Sequence, residues 1–189
     1  MLHKSALIHP NRCAWGRFIA PTRKSLWENY SCKDKKMITE SELNYLLPIA
    51  SSWVEEQESY ILENGIPLNQ TILKNSQILG IKGIKNVRIL PVEEIPLPIN
   101  DILKNAITRL GFIGKDTIGI AFRYGIYVKT FHQNDAKLLI HELTHTVQYE
   151  RAGGISLFLK QYVQECIEFG YPNGILEQEA INVANLIYP

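Results

Sequence analysis

At 189 residues the chain is long enough to bury a core without disulfide or metal staples. It is 46% hydrophobic and 21% charged, which is ordinary for a soluble globular protein, and a formal net charge of +1 gives no electrostatic reason to expect nucleic acid. Cys13, Cys32 and Cys166 are odd in number and far apart, which argues for reduced thiols and against a disulfide framework.

Residues 1–37 show no clear periodicity and read as an irregular arm. Residues 1–27 of it carry Lys4, Arg12, Arg17, Arg23 and Lys24 and no acidic residue. His9, Pro10, Asn11 and Arg12 break up the first twenty residues, so no ordinary secretory signal is visible. No apolar run approaches membrane-spanning length. The expectation is a cytoplasmic protein with no membrane partner.

A single α+β domain is expected over residues 38–189. Thr39, Glu40, Ser41 and Glu42 form a capping-box pattern that opens a helix with Leu43, Leu46 and Leu47. Pro48 is expected to interrupt it, with a second helical run through Trp53 and Ile61 ending at Gly65. A short helix follows over 69–79, closed by Gly80, and then a β-branched strand over 86–92. Ile102, Leu103, Ala106, Ile107 and Leu110 share a helix closed by Gly111. Residues 117–122 and 125–130 read as a hairpin around Arg123 and Tyr124. The remaining expected elements are a helix ending at Gly153 and Gly154, a helix over 155–169, a turn over 170–174 and a last helix over 175–187.

The most informative string lies on the first of these last helices. His141 and His145 are separated by four residues, so on a helix they project from one face, one turn apart, and can share a metal ion. Glu142 points to the neighbouring flank, where it can hold and deprotonate a water bound to that metal. Asn134 and Asp135 supply helix-starting chemistry, and Leu138, Leu139, Ile140, Leu143 and Val147 supply an apolar side.

A catalytic zinc takes three protein ligands, so a third must be found. None of the five histidines lies beyond His145, and the metzincin extension is excluded because Gln148 and Arg151 stand where it needs glycine and histidine. Glu150 is on the motif's own helix, more than two turns from His141. Glu165 and Glu168 occupy positions where solvated-face glutamates are common. Glu177 and Glu179 open the last helix. Glu177 shares a stripe with Ala180, Ile181, Ala184 and Ile187, and the two alanines would let that face approach another helix closely. Glu179 points roughly 160° away. Helical phase therefore favours Glu177, with Glu179 as the alternative.

This constellation resembles the gluzincin-type zincin metallopeptidases. In particular, GIYV at 125–128, LLIHELTH at 138–145, QYE at 148–150, GG at 153–154, GYP at 170–172 and LEQEA at 176–180 resemble small bacterial metallopeptidases with HELxHxxQYE and a late LExEA. The resemblance covers about residues 85–187. It implies a zincin-like fold with a small sheet or hairpin, an active-site helix and a C-terminal helix pair. It also implies Zn²⁺ held by His141, His145 and Glu177, with Glu142 as general base. The chain departs from related zincins at Ile181, where an acidic residue often orients a zinc histidine, and it lacks the NExxSD string of thermolysin-like enzymes.

The expected activity is hydrolysis of a peptide or protein substrate. In zincins the strand before the metal helix is an edge to which substrate adds, which would place Gly125 and Tyr127 against the peptide. Tyr149, Tyr124 and Tyr171 are candidates for stabilising the oxyanion. The principal alternative is a zincin-like metal-binding module that regulates or binds without turnover. A metal-free scaffold is a third reading.

Overall fold

The computed structural model describes residues 38–189, which belong to one compact unit. The basic arm expected over residues 1–37, with Cys13 and Cys32, lies outside the described residues. Helix α1 spans Glu40–Asn64 and opens on the full capping box, with the Thr39 side chain accepting from the Glu42 N–H and Glu42 reaching back to the Thr39 N–H. The expected break at Pro48 does not occur, and α1 is one 25-residue helix. Pro48 lies on the exposed face, as does Asn44, whose carbonyl loses its partner, so water can satisfy that group. Leu43, Leu46, Val54 and Ile61 keep the apolar stripe continuous past the proline.

A two-residue strand β1 (Ile66–Pro67), helix α2 (Gln70–Ser76), strand β2 (Arg88–Val92) and helix α3 (Asp101–Leu110) follow. Asn69 and Asn100 cap α2 and α3 through their side chains, and Gly80 and Gly111 sit at positive φ where the chain leaves each helical segment. Strands β3 (Gly119–Phe122) and β4 (Gly125–Lys129) form the expected hairpin. The four strands are ordered β1-β2-β4-β3, with β4 parallel to β2 and the other pairs antiparallel. The hairpin turn is clamped from both sides. Arg123 has φ 57°, and its carbonyl accepts from Thr146 Oγ1 at 2.7 Å. Its guanidinium binds the buried Glu58 at 2.6–3.0 Å, and Glu58 also accepts from the Tyr124 N–H.

Pleating divides the core in two. Tyr127, Phe122 and Ile120 face α1, while Ile126, Val128 and Ala121 face helix α4 (Ala136–Ala152) with its Leu139, Ile140 and Leu143. Helix α5 (Ile155–Phe169) packs on both α1 and α4, and helix α6 (Ile175–Ile187) lies along α4 with Ala180 and Ala184 fully buried. The architecture is therefore α+β: a small mixed sheet with helices on both faces. No helix among the described residues is long and apolar enough to cross a membrane.

Candidate metal centre

Asp135 caps α4 by accepting from the Leu138 N–H at 3.0 Å, and Gly153 ends the helix at φ 89°. The helix turns Leu139, Ile140 and Leu143 onto the sheet, which leaves His141, Glu142 and His145 facing a cleft beside β3. Glu177, in the first turn of α6, reaches into the same space, as its helical phase predicts. The three candidate ligand atoms converge. His145 Nε2 lies 3.2 Å from His141 Nε2 and 3.3 Å from Glu177 Oε1, and His141 Nε2 lies 3.6 Å from Glu177 Oε2. Atoms bound to one zinc at about 2.0–2.1 Å in tetrahedral geometry stand about 3.3–3.4 Å apart. The histidine pair matches that separation, and with one ligand atom taken from each residue the three lie within 4.8 Å of one another, so the cluster could hold a metal ion.

His145 and Glu177 are each held from behind. The His145 ring presents Nδ1 to the Gln148 carbonyl oxygen at 2.7 Å, which assigns the proton to Nδ1 and directs the Nε2 lone pair at the cluster. Gln148 in turn donates to the Leu176 carbonyl at 2.9 Å and to Glu179 at 3.0 Å, tying the metal helix to the start of α6. Tyr162 of α5 donates to Glu177 Oε1. Phe158 and Tyr162 wall the cluster, with ring centres 6.3 and 5.9 Å from that of His145.

Electrostatics follow from burial. Burial, and then the neighbouring His145, push His141 down to about 4. Burial resists charging of both His145 and Glu177, yet their contact outweighs it, so His145 is raised and Glu177 lowered. Without a metal the two form an ion pair, and a bound cation takes the place of the proton on Nε2. Glu142 is not part of the ligand set. It is only 4% exposed and is pushed up to about 7, chiefly by burial.

The position of Glu142 depends on the edge of the sheet. Because the Lys129 N–H bonds the Ile118 carbonyl, alternation of the antiparallel ladder turns the backbone groups of Gly119 and Ala121 outward, away from β4. The Ala121 backbone hydrogen-bonds to Glu142, and the Tyr149 hydroxyl lies 3.5 Å from the Ala121 carbonyl. A Cβ at position 119 would stand 2.9 Å from Glu142 Oε1, so glycine is what lets the carboxylate lie against the strand.

One cavity, about 150 Å³, is lined by His141, Glu142, His145, Glu177, Tyr149 and Tyr171 among others. Two expected substrate contacts, Gly125 and Tyr127, are not in it. Strand β4 is paired on both sides, Gly125 backs onto Ile61, and Tyr127 is 2% exposed with its hydroxyl on Gln57. The expected edge is corrected to β3, which among the described residues is paired only to β4. Tyr124 is also elsewhere, donating to Glu150, which accepts from the Lys82 and Gly83 N–H groups as well. Glu179 is held by Arg151 and Gln148 and does not join the cluster. Glu165, expected on a solvated face, is buried and accepts from the Leu176 N–H at 2.8 Å, satisfying a donor of α6 whose cap, Gly174, has no side chain.

Sequence reasoning missed Gln148 and Tyr162. Gln148 lies three residues after His145, a spacing that puts the two side chains in contact on a helix, so that partner was findable. Tyr162 reaches Glu177 only through the packing of α5 on α6, and no local pattern announces it. No family model, curated protein or solved structure matches the chain.

Proposed function

We propose that the chain is a zinc-dependent peptidase of the gluzincin type. The observation that supports this best is the juxtaposition, in one cavity, of three convergent ligand residues, a buried carboxylate outside the ligand set and a sheet edge with outward-turned backbone groups. His141, His145 and Glu177 would hold the ion. When bound, Zn²⁺ supplies Lewis acidity that polarises a substrate carbonyl and makes water a stronger acid.

The chain's own residues supply the rest. A peptide adds to the outer edge of β3 at Gly119, whose outward backbone groups align it past Glu142, while those of Ala121 are engaged by Glu142 and Tyr149. Glu142, confined between Gly119, Ala121 and the cluster, takes a proton from the attacking water and returns it to the leaving amine. The hydroxyls of Tyr149 and Tyr162 are already directed at Ala121 and Glu177. Tyr171, half exposed in the same cavity wall, is left as the donor for the developing oxyanion.

The test is cleavage of a peptide library by wild type and Glu142→Gln at matched zinc occupancy. The substitution keeps size and removes the base. Turnover should fall by about 10²–10⁴-fold with zinc retained. Equal cleavage by both would place the activity elsewhere, and no cleavage by either would favour a metal-binding module without turnover.

A further inference from the structure

We propose that Asn173 and Gly174 form a modification site at which the folded chain deamidates itself, and that the isoaspartate so formed weakens the metal centre; the second half rests on the metal-binding reading of His141, His145 and Glu177. Asparagine is chemically labile, and most so before glycine, which has no Cβ to shield its nitrogen. The chain contains Asn-Gly twice, at 64–65 and at 173–174. The fold treats the two copies in opposite ways.

Asn64 is the last residue of α1, and the Gly65 N–H donates to the Ile61 carbonyl at 2.7 Å. Gly65 is also tightly packed, since a Cβ there would stand 2.6 Å from the Ile61 carbonyl oxygen and 2.9 Å from Arg88 Cβ. Its nitrogen can attack Asn64 only after that hydrogen bond breaks and the end of α1 unwinds. Asn173 is exposed and lies in no helix or strand. Among the described residues the Gly174 N–H donates to no group, so closing a ring there breaks no bond within the protein. Helix polarity sharpens the contrast. Gly174 is the N-cap of α6, whose positive end favours an attacking nitrogen anion, whereas Gly65 follows the negative end of α1.

The Gly174 nitrogen attacks Asn173 Cγ, the new C–N bond closes a succinimide, and the side-chain nitrogen leaves as ammonia with the amide proton. Water then opens the ring at either carbonyl. Opening at Cγ gives aspartate. Opening at the main-chain carbonyl leaves an α-carboxylate and routes the backbone through Cβ and Cγ, which lengthens it by a methylene. That methylene falls between two anchors. The Asn173 N–H is fixed to the Gly170 carbonyl at 2.6 Å, while beyond it the Gly174 carbonyl accepts from the Gln178 N–H at 2.9 Å and Glu165 holds the Leu176 N–H at 2.8 Å. The first turn of α6 must therefore shift, and with it the Glu177 carboxylate that meets His141 and His145.

The test ages the full-length protein at mildly alkaline pH, folded or in urea. Peptide mapping follows both dipeptides, and an isoaspartyl methyltransferase labels the product. In the folded protein Asn173 should react at least about tenfold faster than Asn64, as release of one hydrogen bond at Gly65 requires. In urea the two should react alike. Equal rates in the folded protein, faster loss at Asn64, or a preference that persists in urea would overturn the site. Chelator competition then measures zinc affinity. The isolated isoaspartyl form should bind at least about tenfold more weakly than fresh protein, whereas Asn173→Asp, which adds the charge without the methylene, should stay within about twofold. Asn173→Gln aged in parallel should keep its affinity. Unweakened binding by the isoaspartyl form, or equal loss in aged Asn173→Gln, would overturn the link to the metal centre. Failure of fresh protein to bind zinc would sink the metal reading itself, and the peptide map would still decide the modification site.

Discussion

Replacing Gln148 with leucine removes one amide that serves both the metal cluster and the seam between α4 and α6. In the wild type its oxygen accepts from His145 Nδ1 at 2.7 Å and its nitrogen donates at 2.9 Å to Leu176 and at 3.0 Å to Glu179. The losses are unequal. Glu179 keeps two bonds to Arg151, and the Leu176 carbonyl keeps its helical partner, so neither is orphaned. The His145 Nδ1–H is buried and loses its acceptor, which costs about 1–3 kcal/mol. For a chain of this size that corresponds to a Tm lower by roughly 2–12 °C. The larger consequence is for the metal, because a ring no longer fixed in tautomer and orientation binds more weakly, by about 10–100-fold. Gln148→Glu is the control. It keeps an acceptor for Nδ1–H while losing the donor and placing a second carboxylate beside Glu179, so it should lower stability yet hold zinc better than Gln148→Leu does. Competition with a chromophoric chelator gives the affinities, and thermal unfolding with and without zinc gives the stabilities. If Gln148→Leu bound zinc within about twofold of wild type, the role assigned to Gln148 in orienting His145 would be refuted.

Zinc at a thousandfold excess over its Kd should stabilise the fold by about 4 kcal/mol, or roughly 8–16 °C in Tm, and His145→Ala should abolish the shift. Thermal unfolding across a zinc titration checks this, and an unchanged wild-type Tm would count against a preformed site. Gly119→Ala puts a Cβ 2.9 Å from Glu142 Oε1 and must displace the carboxylate, so cleavage should fall while zinc content holds. Parallel loss of zinc would show that the crowding reaches the ligands. Glu177→Gln should weaken zinc binding strongly whereas Glu179→Gln should change it little, as the convergence of Glu177 alone on the histidines requires. The reverse order in chelator competition would sink that ligand set.

Much of this was legible because it is local. The capping box at Thr39, the cap at Asp135, the glycines ending α3 and α4, and the convergence of Glu177 with His141 and His145 all follow from helical periodicity and terminal chemistry. The failures lie where tertiary context decides. Pro48 looks like a helix end in a window of sequence, but its carbonyl partner faces solvent and the stripe on the opposite side carries the helix through. Glu165 looks solvated because nothing local says that α6 begins against it. The order of the hairpin strands was the costliest error. Pairing within a hairpin does not say which strand docks on the rest of the sheet. A signal was present all the same, since Ile126, Tyr127 and Val128 form the continuous apolar run of a strand buried on both faces. Gly119 and Ala121 keep the α4 side of β3 small, as an edge beside a carboxylate requires.

The correction strengthens the site. With β4 as the edge, Glu142 would have stood one strand away from any added peptide; with β3 as the edge, it touches the strand that peptide would join. The cost to the fold points the same way. Replacing buried ion pairs by well-packed apolar residues is commonly neutral or stabilising by about 1–4 kcal/mol, so His145 and Glu177 are weak contributors to stability where they sit. The cavity beside them leaves contacts unmade that would contribute at most about 4 kcal/mol if its 150 Å³ were filled. A domain selected for stability alone would close that space and neutralise those groups. Both departures occur at one place, and there they are coherent: the buried charges suit a cation, and the unfilled space beside them leaves room for a ligand.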